Sequence, residues 1–263
     1  MNSLQVTNDI LLDYIQEGRR SGVPIVLLHG FTDSRRSFDR VLARLPKSIH
    51  AIAVSQRGHG DSERPRVGYA PRHFAADVVA LMDKLGIPKA VVLGHSMGGI
   101  VAQRFAIDYP ERVLGLVLVG SFYTLRMHPA GMELWESSIS TLEDPVDPAF
   151  VRGFQQSTLA QAVPSSFFDV VVQESLKVPA RVWRDTMQAL LSTDFSSELP
   201  RIQAPTLLLW GNRDAFVNES EQEALLATIP RSTLKVYEGV GHSPHWEDPS
   251  QFVIDVEDFI TRL

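Results

Sequence analysis

The chain has 263 residues, enough for one large domain, and no linker rich in proline, glycine or serine divides it. Hydrophobic residues make up 44% and charged residues 21%, a balance typical of a globular protein rather than a disordered or fibrous one. The net charge of −6 argues against a nucleic-acid-binding surface, and the absence of cysteine excludes disulfides, thiolate catalysis and cysteine-ligated metals.

The N-terminal segment predicts a protein without a signal peptide or membrane anchor. Residues 1–7 carry no basic patch followed by a long apolar stretch, which a signal peptide needs. Residues 23–28 form one of the longest apolar runs, and this run is far too short to span a bilayer. We therefore expect a cytoplasmic protein, and the sequence leaves open whether it forms homo-oligomers.

Short apolar runs alternate with helical patterns along most of the chain, which predicts a mostly parallel sheet covered by helices on both faces. The first two strands are expected to form an antiparallel hairpin around residues 8–9. Eight strands are predicted, at Leu4–Thr7, Ile10–Ile15, Ile25–His29, Ala51–Val54, Ala90–Leu93, Val113–Val119, Thr206–Trp210 and Thr233–Tyr237. Helices are predicted at Ser37–Leu45, Pro71–Leu85, Met97–Tyr109, Glu219–Ile229 and Pro249–Leu263.

The alternation of strands and helices stops between Ser121 and about Leu199. A segment of this length without sheet strands must bury its aromatic side chains against something else. We therefore predict an α/β core formed by residues 1–120 and 200–263, and an inserted helical cap formed by residues 121–199. The aromatic residues of the cap include Phe122, Trp135, Phe154, Phe167, Phe168 and Trp183.

The most informative motif, GHSMGG at residues 94–99, lies between the predicted strand Ala90–Leu93 and a helical pattern. A serine at such a sharp strand-to-helix turn, with glycines two residues before and after it, is lifted clear of the backbone as a nucleophile. Gly94 and Gly98 let the strand and the helix pass close to the serine, where a Cβ would clash. Because the flanks supply strand, turn and helix, Ser96 is the predicted nucleophile.

Five motifs in chain order resemble those of the α/β-hydrolase superfamily, and the resemblance covers nearly the whole chain. They are HGF at residues 29–31, RGHGDS at 57–62, GHSMGG at 94–99, GNRD at 211–214 and GHSPHWEDP at 241–249. The resemblance implies an α/β-hydrolase fold, in which an eight-stranded, mostly parallel sheet is flanked by helices and carries a helical cap insertion.

A serine hydroxyl needs a base within hydrogen-bond reach, normally a histidine held by a carboxylate. His242 lies just after the last predicted strand, and by similarity to the family it is the general base. Asp214 follows the seventh strand and precedes His242, in the superfamily's order of nucleophile, acid and histidine, so we expect it to orient His242. Some relatives take the acid from just after the sixth strand, but residues 120–126 contain no carboxylate. Asn218 is better placed than Asp214 to cap the following helix.

Acyl transfer also needs hydrogen-bond donors aimed at the oxygen that becomes negative. The backbone N–H of Met97, the residue after the nucleophile, is the first predicted donor of this oxyanion hole. The resemblance implies the backbone N–H of Phe31 as the second. The ring of Phe31 is also a candidate wall of the substrate pocket, as are Phe122, Trp183 and Val217.

Other conspicuous residues near these motifs are predicted to be structural. His29 and His95 flank the site, but neither holds the position of the base. His59 and Asp61 resemble the family's structural turn. His245 lies three residues after His242, and such a pair suggests metal ligands. A metal site would also need another histidine pair at ligand spacing or a carboxylate on the same face, and neither is present in the sequence pattern. We therefore expect neither a metal ion nor a cofactor.

The identity of the nucleophile narrows the reaction class. Haloalkane dehalogenases and epoxide hydrolases use aspartate there, and Ser96 cannot form their alkyl-enzyme ester. Perhydrolases of the haloperoxidase type usually carry proline in the oxyanion loop, where this chain has Phe31-Thr32-Asp33. The expected reaction is hydrolysis of a carboxylic ester or lactone of an apolar small molecule through an acyl-enzyme. Carbon–carbon bond hydrolysis, hydroxynitrile lysis and ligand binding without turnover are alternatives.

Overall fold

An eight-stranded sheet forms the centre of the computed structural model, which describes residues 2–126 and 128–263. The strands are β1 (Asn2–Thr7), β2 (Ile10–Glu17), β3 (Val23–Leu28), β4 (Ile49–Val54), β5 (Ala90–His95), β6 (Val113–Val119), β7 (Thr206–Gly211) and β8 (Ser232–Tyr237). They lie side by side in the order β1-β2-β4-β3-β5-β6-β7-β8. Strand β2 is antiparallel to β1 and β4, and every pair from β4 to β8 is parallel. The predicted α/β fold with eight mostly parallel strands and an N-terminal hairpin is confirmed.

Helices cover both faces of the sheet and fill the segment between β6 and β7. They are α1 (Asp39–Leu42), α2 (Pro71–Leu85), α3 (Met97–Asp108), α4 (Pro129–Ser137), α5 (Pro148–Ser157), α6 (Ser165–Ser175), α7 (Ala180–Leu191), α8 (Glu219–Thr228), α9 (Pro244–Glu247) and α10 (Pro249–Thr261). Within the part of the chain that the structure describes, no helix is both long and apolar enough to cross a membrane.

The central strands are apolar along their length because both of their faces are buried. In β3, the side chains of Val26 and Leu28 pack in the same core as helices α2 and α3. Those of Ile25 and Leu27 belong to the core on the opposite face, together with Phe252 of α10. This burial on two sides explains why continuous apolar runs, rather than alternating patterns, mark these strands in the sequence.

The predicted helix Ser37–Leu45 is wrong in its extent. A 3₁₀ turn at Arg35–Phe38 comes first and is followed only by the single turn of α1. Ser34 caps the 3₁₀ turn, because its hydroxyl accepts the backbone N–H of Arg36. The helical backbone therefore starts before Ser37, directly after its N-cap residue Ser34.

The other predicted helix ends lie within two residues of the observed ones. Helix α3 ends at Asp108 because Tyr109 precedes a proline, and its φ of −131° is not helical. Helix α8 begins after Asn218, whose side chain accepts the N–H of Glu221 while Glu221 bonds back to the N–H of Asn218. This capping box confirms Asn218 as the N-cap.

The described residues between 121 and 199 add helices α4 to α7 and no strand to the sheet. An isolated bridge between Thr124 and Asp194 joins the two ends of this segment. Its aromatic side chains form a local core, in which the fully buried Trp183 packs against Phe150 and Phe154 at centroid distances of 5.6 and 5.4 Å. Aromatic side chains of this segment are therefore buried against one another. The division into core and cap domains stays a prediction.

Truncation of Trp183 is expected to destabilise the protein, because it removes a fully buried indole and leaves a cavity. The substitution Trp183→Ala should lower the free energy of unfolding by about 3–5 kcal/mol, measured by urea denaturation. The matched control is Trp135→Ala, since Trp135 is only partly buried. Equal losses in the two variants would contradict the assignment of Trp183 to the centre of this core.

Candidate active site

Ser96 is the single residue between strand β5 and helix α3, and its backbone conformation is unusual. Its φ of 52° and ψ of −117° lie outside the regions that L-amino acids normally occupy. Such a conformation costs on the order of 1–3 kcal/mol and persists only when the surroundings enforce it. Here the N–H of Ser96 donates to the carbonyl of Val119 in β6 at 2.9 Å, and its carbonyl accepts the N–H of Gly99 at 2.8 Å.

Two glycines make this turn sterically feasible, as the motif predicted. A Cβ placed on Gly94 would lie 2.1 Å from the carbonyl oxygen of Gly98. A Cβ on Gly98 would lie 2.2 Å from the carbonyl oxygen of Leu28 in β3. Because no side chain fits at such distances, helix α3 can start directly above the sheet and present Ser96 at its edge.

The carboxylate of Asp214 holds the imidazole of His242. Asp214 Oδ2 lies 2.8 Å from His242 Nδ1, and its side chain is fully buried. Its other oxygen accepts the backbone N–H groups of Phe216 and Val217 at 2.8 and 3.0 Å. Since the carboxylate accepts a hydrogen bond from the N–H at Nδ1, Nε2 of His242 carries the lone pair that can act as a base.

The backbone of His242 is held from two further sides. Its N–H donates to the carbonyl of Thr158, just after α5, at 2.9 Å. Its carbonyl accepts from Nε2 of His95, the residue before the nucleophile, at 3.0 Å. Gly120, at the end of β6, has a φ of 48°, and a Cβ there would lie 2.8 Å from the carbonyl oxygen of His242 and 3.1 Å from its Nδ1. The sequence analysis identified neither Thr158 nor Gly120.

The predicted site residues meet at the carboxyl ends of the parallel strands. Phe31 follows β3, Ser96 and Met97 follow β5, Asp214 follows β7, and His242 follows β8. Four of them, all except Asp214, line one cavity, and Asp214 lies behind His242. The topology therefore brings together residues that are far apart in the sequence.

The two predicted oxyanion donors, the N–H groups of Met97 and Phe31, lie at a helix N-terminus and in a turn, respectively. Met97 is the first residue of α3, so its N–H has no carbonyl acceptor within the helix and lies at the positive end of the helix dipole. Phe31 lies in a tight turn, in which the N–H of Asp33 donates to the carbonyl of Gly30 at 3.3 Å. Thr32 at the centre of this turn has a φ of 65°. Residues 30–33 are called the oxyanion loop below.

The cavity above Ser96 is narrow and mainly apolar. Its volume is about 70 Å³, well below the roughly 300–1,000 Å³ of typical ligand pockets. Residues between 121 and 199 contribute most of the apolar wall. The polar side chains that line the cavity are those of Asp33, His95, Ser96, His128, Gln155, Thr158 and His242. Apolar side chains line the rest: Phe31, Met97, Phe122, Leu125, Ala130, Leu134, Phe154, Met187, Leu190, Phe216 and Trp246.

Two of the four residues predicted to form the pocket wall line the cavity, namely Phe31 and Phe122. For Trp183 the prediction is corrected, because its indole lies one layer behind the wall, with its ring 5.2 Å from that of Phe31. Val217 is also fully buried away from the cavity. Its neighbour Phe216, which the sequence analysis missed, lines the cavity instead.

The ring of Phe216 lies 5.2 Å from the ring of His242. Two backbone bonds to Asp214 shape the turn that places Phe216 there, one from its own N–H and one from that of Val217. A local signal for this choice would have been the short spacing between Asp214 and Phe216, because a carboxylate commonly accepts an N–H two residues later in the chain.

His29 and His59 maintain loop geometry. His29 Nε2 accepts the N–H of Gln56 at 2.9 Å, and its Nδ1 donates to the carbonyl of Gly30 at 2.8 Å. His59 Nδ1 donates to the carbonyl of Arg57 at 2.8 Å. Burial lowers the pKa of His29 well below its ordinary value and that of His59 to about 4, so both are neutral at physiological pH.

Asp61 and His245 have structural contacts of other kinds. Asp61 is exposed and forms an ion pair of 3.0 Å with Lys177, just after α6. His245 is fully buried, and its Nε2 lies 3.1 Å from the hydroxyl of Ser37. Among residues 2–126 and 128–263, no group of three or more histidine, aspartate or glutamate side chains is arranged to hold a metal ion.

A family model, curated relatives and a solved structure each match most of this chain. A model of the alpha/beta hydrolase family matches residues 25–256. A non-heme chloroperoxidase of Streptomyces lividans is 28% identical over 92% of this chain and 93% of its own length. 3-Oxoadipate enol-lactonase 2 of Acinetobacter baylyi is 25% identical, with coverage of 97% and 95%. The structure of esterase RhEst1 from Rhodococcus sp. ECU1013 superposes with a TM-score of 0.84 at 28% identity, over 97% of this chain and 96% of that one.

The substitution Gly120→Ala is expected to displace His242, because the new Cβ would collide with its carbonyl and ring. Labelling of Ser96 by a fluorophosphonate probe should slow by about tenfold to a hundredfold, since small misplacements of a reacting group are that costly. The rate is measured by intact-protein mass spectrometry. The matched control is Gly153→Ala in α5, where a Cβ would meet nothing within 4 Å. Equal labelling rates in the two folded variants would contradict this role of Gly120.

Proposed function

This chain belongs to the alpha/beta hydrolase family, and we propose that it is a serine hydrolase that cleaves a carboxylic ester or lactone of a small apolar molecule. One observation carries the proposal. His242 Nδ1 lies 2.8 Å from the buried Asp214 carboxylate, and His242 lines the same cavity as Ser96. These observations support Ser96, His242 and Asp214 as the nucleophile, base and orienting acid that acyl transfer requires.

In the acylation half, the hydroxyl oxygen of Ser96 attacks the substrate carbonyl carbon while His242 Nε2 takes the hydroxyl proton. The carbonyl oxygen becomes negative in the tetrahedral intermediate and accepts hydrogen bonds from the N–H groups of Phe31 and Met97. The imidazolium formed at His242 is stabilised by the Asp214 carboxylate. The intermediate then expels the alcohol, which leaves with the proton from His242, and the acyl group stays on Ser96.

In the deacylation half, water replaces the alcohol. His242 Nε2 takes a proton from this water as the oxygen attacks the acyl carbon, and the same two N–H groups bind the second oxyanion. Collapse of the intermediate breaks the bond to Ser96, whose oxygen recovers the proton from His242. The products are a carboxylic acid and the free enzyme, and the reaction needs no cofactor.

The lining of the cavity favours an uncharged substrate. No lysine or arginine lines it in the described part of the chain, and His128 is paired with Glu221 at 3.2 Å. A substrate with a free carboxylate would therefore lose its hydration without gaining an unpaired cationic partner. This supports an ester or lactone with apolar substituents. The volume of about 70 Å³ further favours short chains on both sides of the ester.

The backbone of the oxyanion loop supports hydrolysis over peracid formation. Perhydrolases of the haloperoxidase type usually carry proline in this loop, and one relative of this chain is a chloroperoxidase. Thr32 here has a φ of 65°, whereas a proline ring holds φ near −65°. The loop is therefore in a conformation that a proline at position 32 could not adopt.

Loss of the Ser96 hydroxyl tests the proposed function. The variant Ser96→Ala is expected to lose ester hydrolysis by at least about a thousandfold and to lose labelling by a fluorophosphonate probe, because no other group can form the acyl-enzyme. Turnover is measured with p-nitrophenyl acetate. The control is Ser157→Ala, which removes an exposed hydroxyl of the cap and should leave both signals unchanged. Wild-type turnover in Ser96→Ala would contradict the proposal.

Enlargement of the cavity should shift substrate preference. Leu190 of α7 lines the cavity, whereas its neighbour Leu191 does not. In Leu190→Ala we expect the ratio of kcat/KM for octyl over ethyl chains to rise at least fivefold, by roughly the 1–3 kcal/mol that a hydrophobic pocket discriminates. The ratio is measured in two series of esters, one varied in the acyl chain and one in the alcohol. Leu191→Ala is the control. An unchanged ratio in both series would show that Leu190 does not limit substrate length.

A further inference from the structure

Asp33 is a buried carboxyl beside Ser96 that the proposed reaction does not use. Asp33 is about 3% exposed and lines the same cavity as Ser96. It belongs to the oxyanion loop, two residues after Phe31. One carboxyl oxygen, Oδ1, accepts a hydrogen bond of 3.0 Å from Nε2 of Gln155 in α5. The other oxygen, Oδ2, lies 4.0 Å from Nδ1 of His95.

The protonation of His95 follows from its other ring nitrogen. His95 Nε2 lies 3.0 Å from the carbonyl oxygen of His242, and a carbonyl can only accept, so Nε2 carries the hydrogen. Burial is the main cause that holds the pKa of His95 well below its ordinary value, and the neighbouring His245 and His242 lower it further. The ring is therefore neutral. Nδ1 is therefore a bare lone pair. It is buried, and no other group in the described part of the chain makes a hydrogen bond to it.

An ionised Asp33 would place a second acceptor opposite this buried lone pair. Two acceptors that face each other without water repel, whereas a proton on Asp33 Oδ2 would convert them into donor and acceptor. An unpaired buried carboxylate is also costly, because burial removes its hydration. Both considerations favour the neutral acid.

The elements packed around Asp33 supply little positive charge. The titratable groups that face it are His95 at the end of β5 and His242 after β8. Helix α5 contributes the uncharged Gln155, and no lysine or arginine is in contact with Asp33 among the described residues. Burial consequently raises the pKa of Asp33 to about 7, and the hydrogen bond from Gln155, the proximity of His242 and a backbone hydrogen bond from Gly30 only partly oppose it.

We infer that Asp33 acts as an uncharged carboxylic acid and is a positioning residue for the active site. It accepts from Gln155 in the cap and donates toward His95, which in turn donates to the backbone carbonyl of His242. This chain of contacts, in which Asp33 Oδ2 and His95 Nδ1 lie 4.0 Å apart, links the cap to the loop that carries the catalytic base. The neutral state also keeps negative charge away from the oxyanion loop. The inference rests on the proposed function, since it assigns a role in that reaction.

Ionisation of Asp33 should therefore slow the reaction. A carboxylate in the oxyanion loop would repel the negative oxygen of the tetrahedral intermediate, and it would cease to donate to His95. Asparagine mimics the neutral acid, because its oxygen can accept from Gln155 and its NH₂ can donate to His95. Asp33→Asn should therefore retain the active arrangement and lose its sensitivity to high pH.

The kinetic test compares kcat/KM of Asp33→Asn with that of the wild type between pH 6 and pH 9. We expect the ratio of variant to wild type to rise at least fivefold over this range, with a midpoint near pH 7. The matched control is Asp39→Asn, which makes the same substitution at a half-buried carboxyl paired with Arg36 outside the cavity, and its ratio should be flat. A flat or falling ratio for Asp33→Asn, or its inactivity at every pH, would overturn the inference.

Protein stability supplies a readout that needs no substrate. The folded protein holds this proton more tightly than the unfolded chain, so the stabilising effect of the neutral acid is full in acid. It is lost as pH rises from the ordinary value of 3.8 to about 7. The Tm of Asp33→Asn relative to the wild type should therefore increase by a few degrees between pH 4 and pH 7 and then stay constant. A pH-independent difference would overturn the inference.

The wild type itself can be titrated if Asp33→Asn fails to fold. In protein labelled with ¹³C at the aspartate carboxyl carbons, one NMR resonance should titrate near pH 7, and Asp33→Ser can serve to assign it. Titration of every aspartate below pH 5 would overturn the inference even if esterase activity is intact. An inactive wild type in which Asp33 titrates near pH 7 would instead overturn the proposed function.

Discussion

The strained backbone of Ser96 is the constraint on which the rest of the site depends. Strand β5 and helix α3 are joined by this one residue, and they approach so closely that only glycine fits at positions 94 and 98. The same turn leaves the N–H of Met97 without an acceptor inside α3 and exposes it next to Ser96. One local conformation thus presents both the hydroxyl of Ser96 and the N–H of Met97, the proposed oxyanion donor. The buried parallel strands on either side hold it, because any relaxation would break bonds to β6.

The segment between residues 121 and 199, besides lining the cavity, contacts two of the loops that carry predicted site residues. Thr158 accepts the backbone N–H of His242, and Gln155 donates to Asp33 in the oxyanion loop. The proposed base and the oxyanion loop are therefore both bonded to the same short stretch at the end of α5. A movement of α5 to admit substrate would also disturb the base and the oxyanion loop.

The features that short sequence patterns encode were predictable. Apolar runs located the strands because both sheet faces are buried, and the turn around Ser96 was identifiable from its glycines and flanks. The positions of Phe216, Gln155 and Trp183 relative to the cavity were not, because they depend on how α5 and α7 pack against loops distant in sequence. No local periodicity reports such packing. The expectation that Val217 forms the wall missed by one residue, because the turn set by Asp214 directs Phe216 there.

In the proposed reaction, Ser96 carries the acyl group during turnover. The most direct measurement is rapid acid quenching of the enzyme with p-nitrophenyl acetate, followed by peptide mass spectrometry. We expect an acetyl group on the peptide that contains Ser96, present during turnover and absent once substrate is exhausted. Active enzyme that shows no acetylated Ser96, or an acetyl group that turns over on another residue, would contradict it.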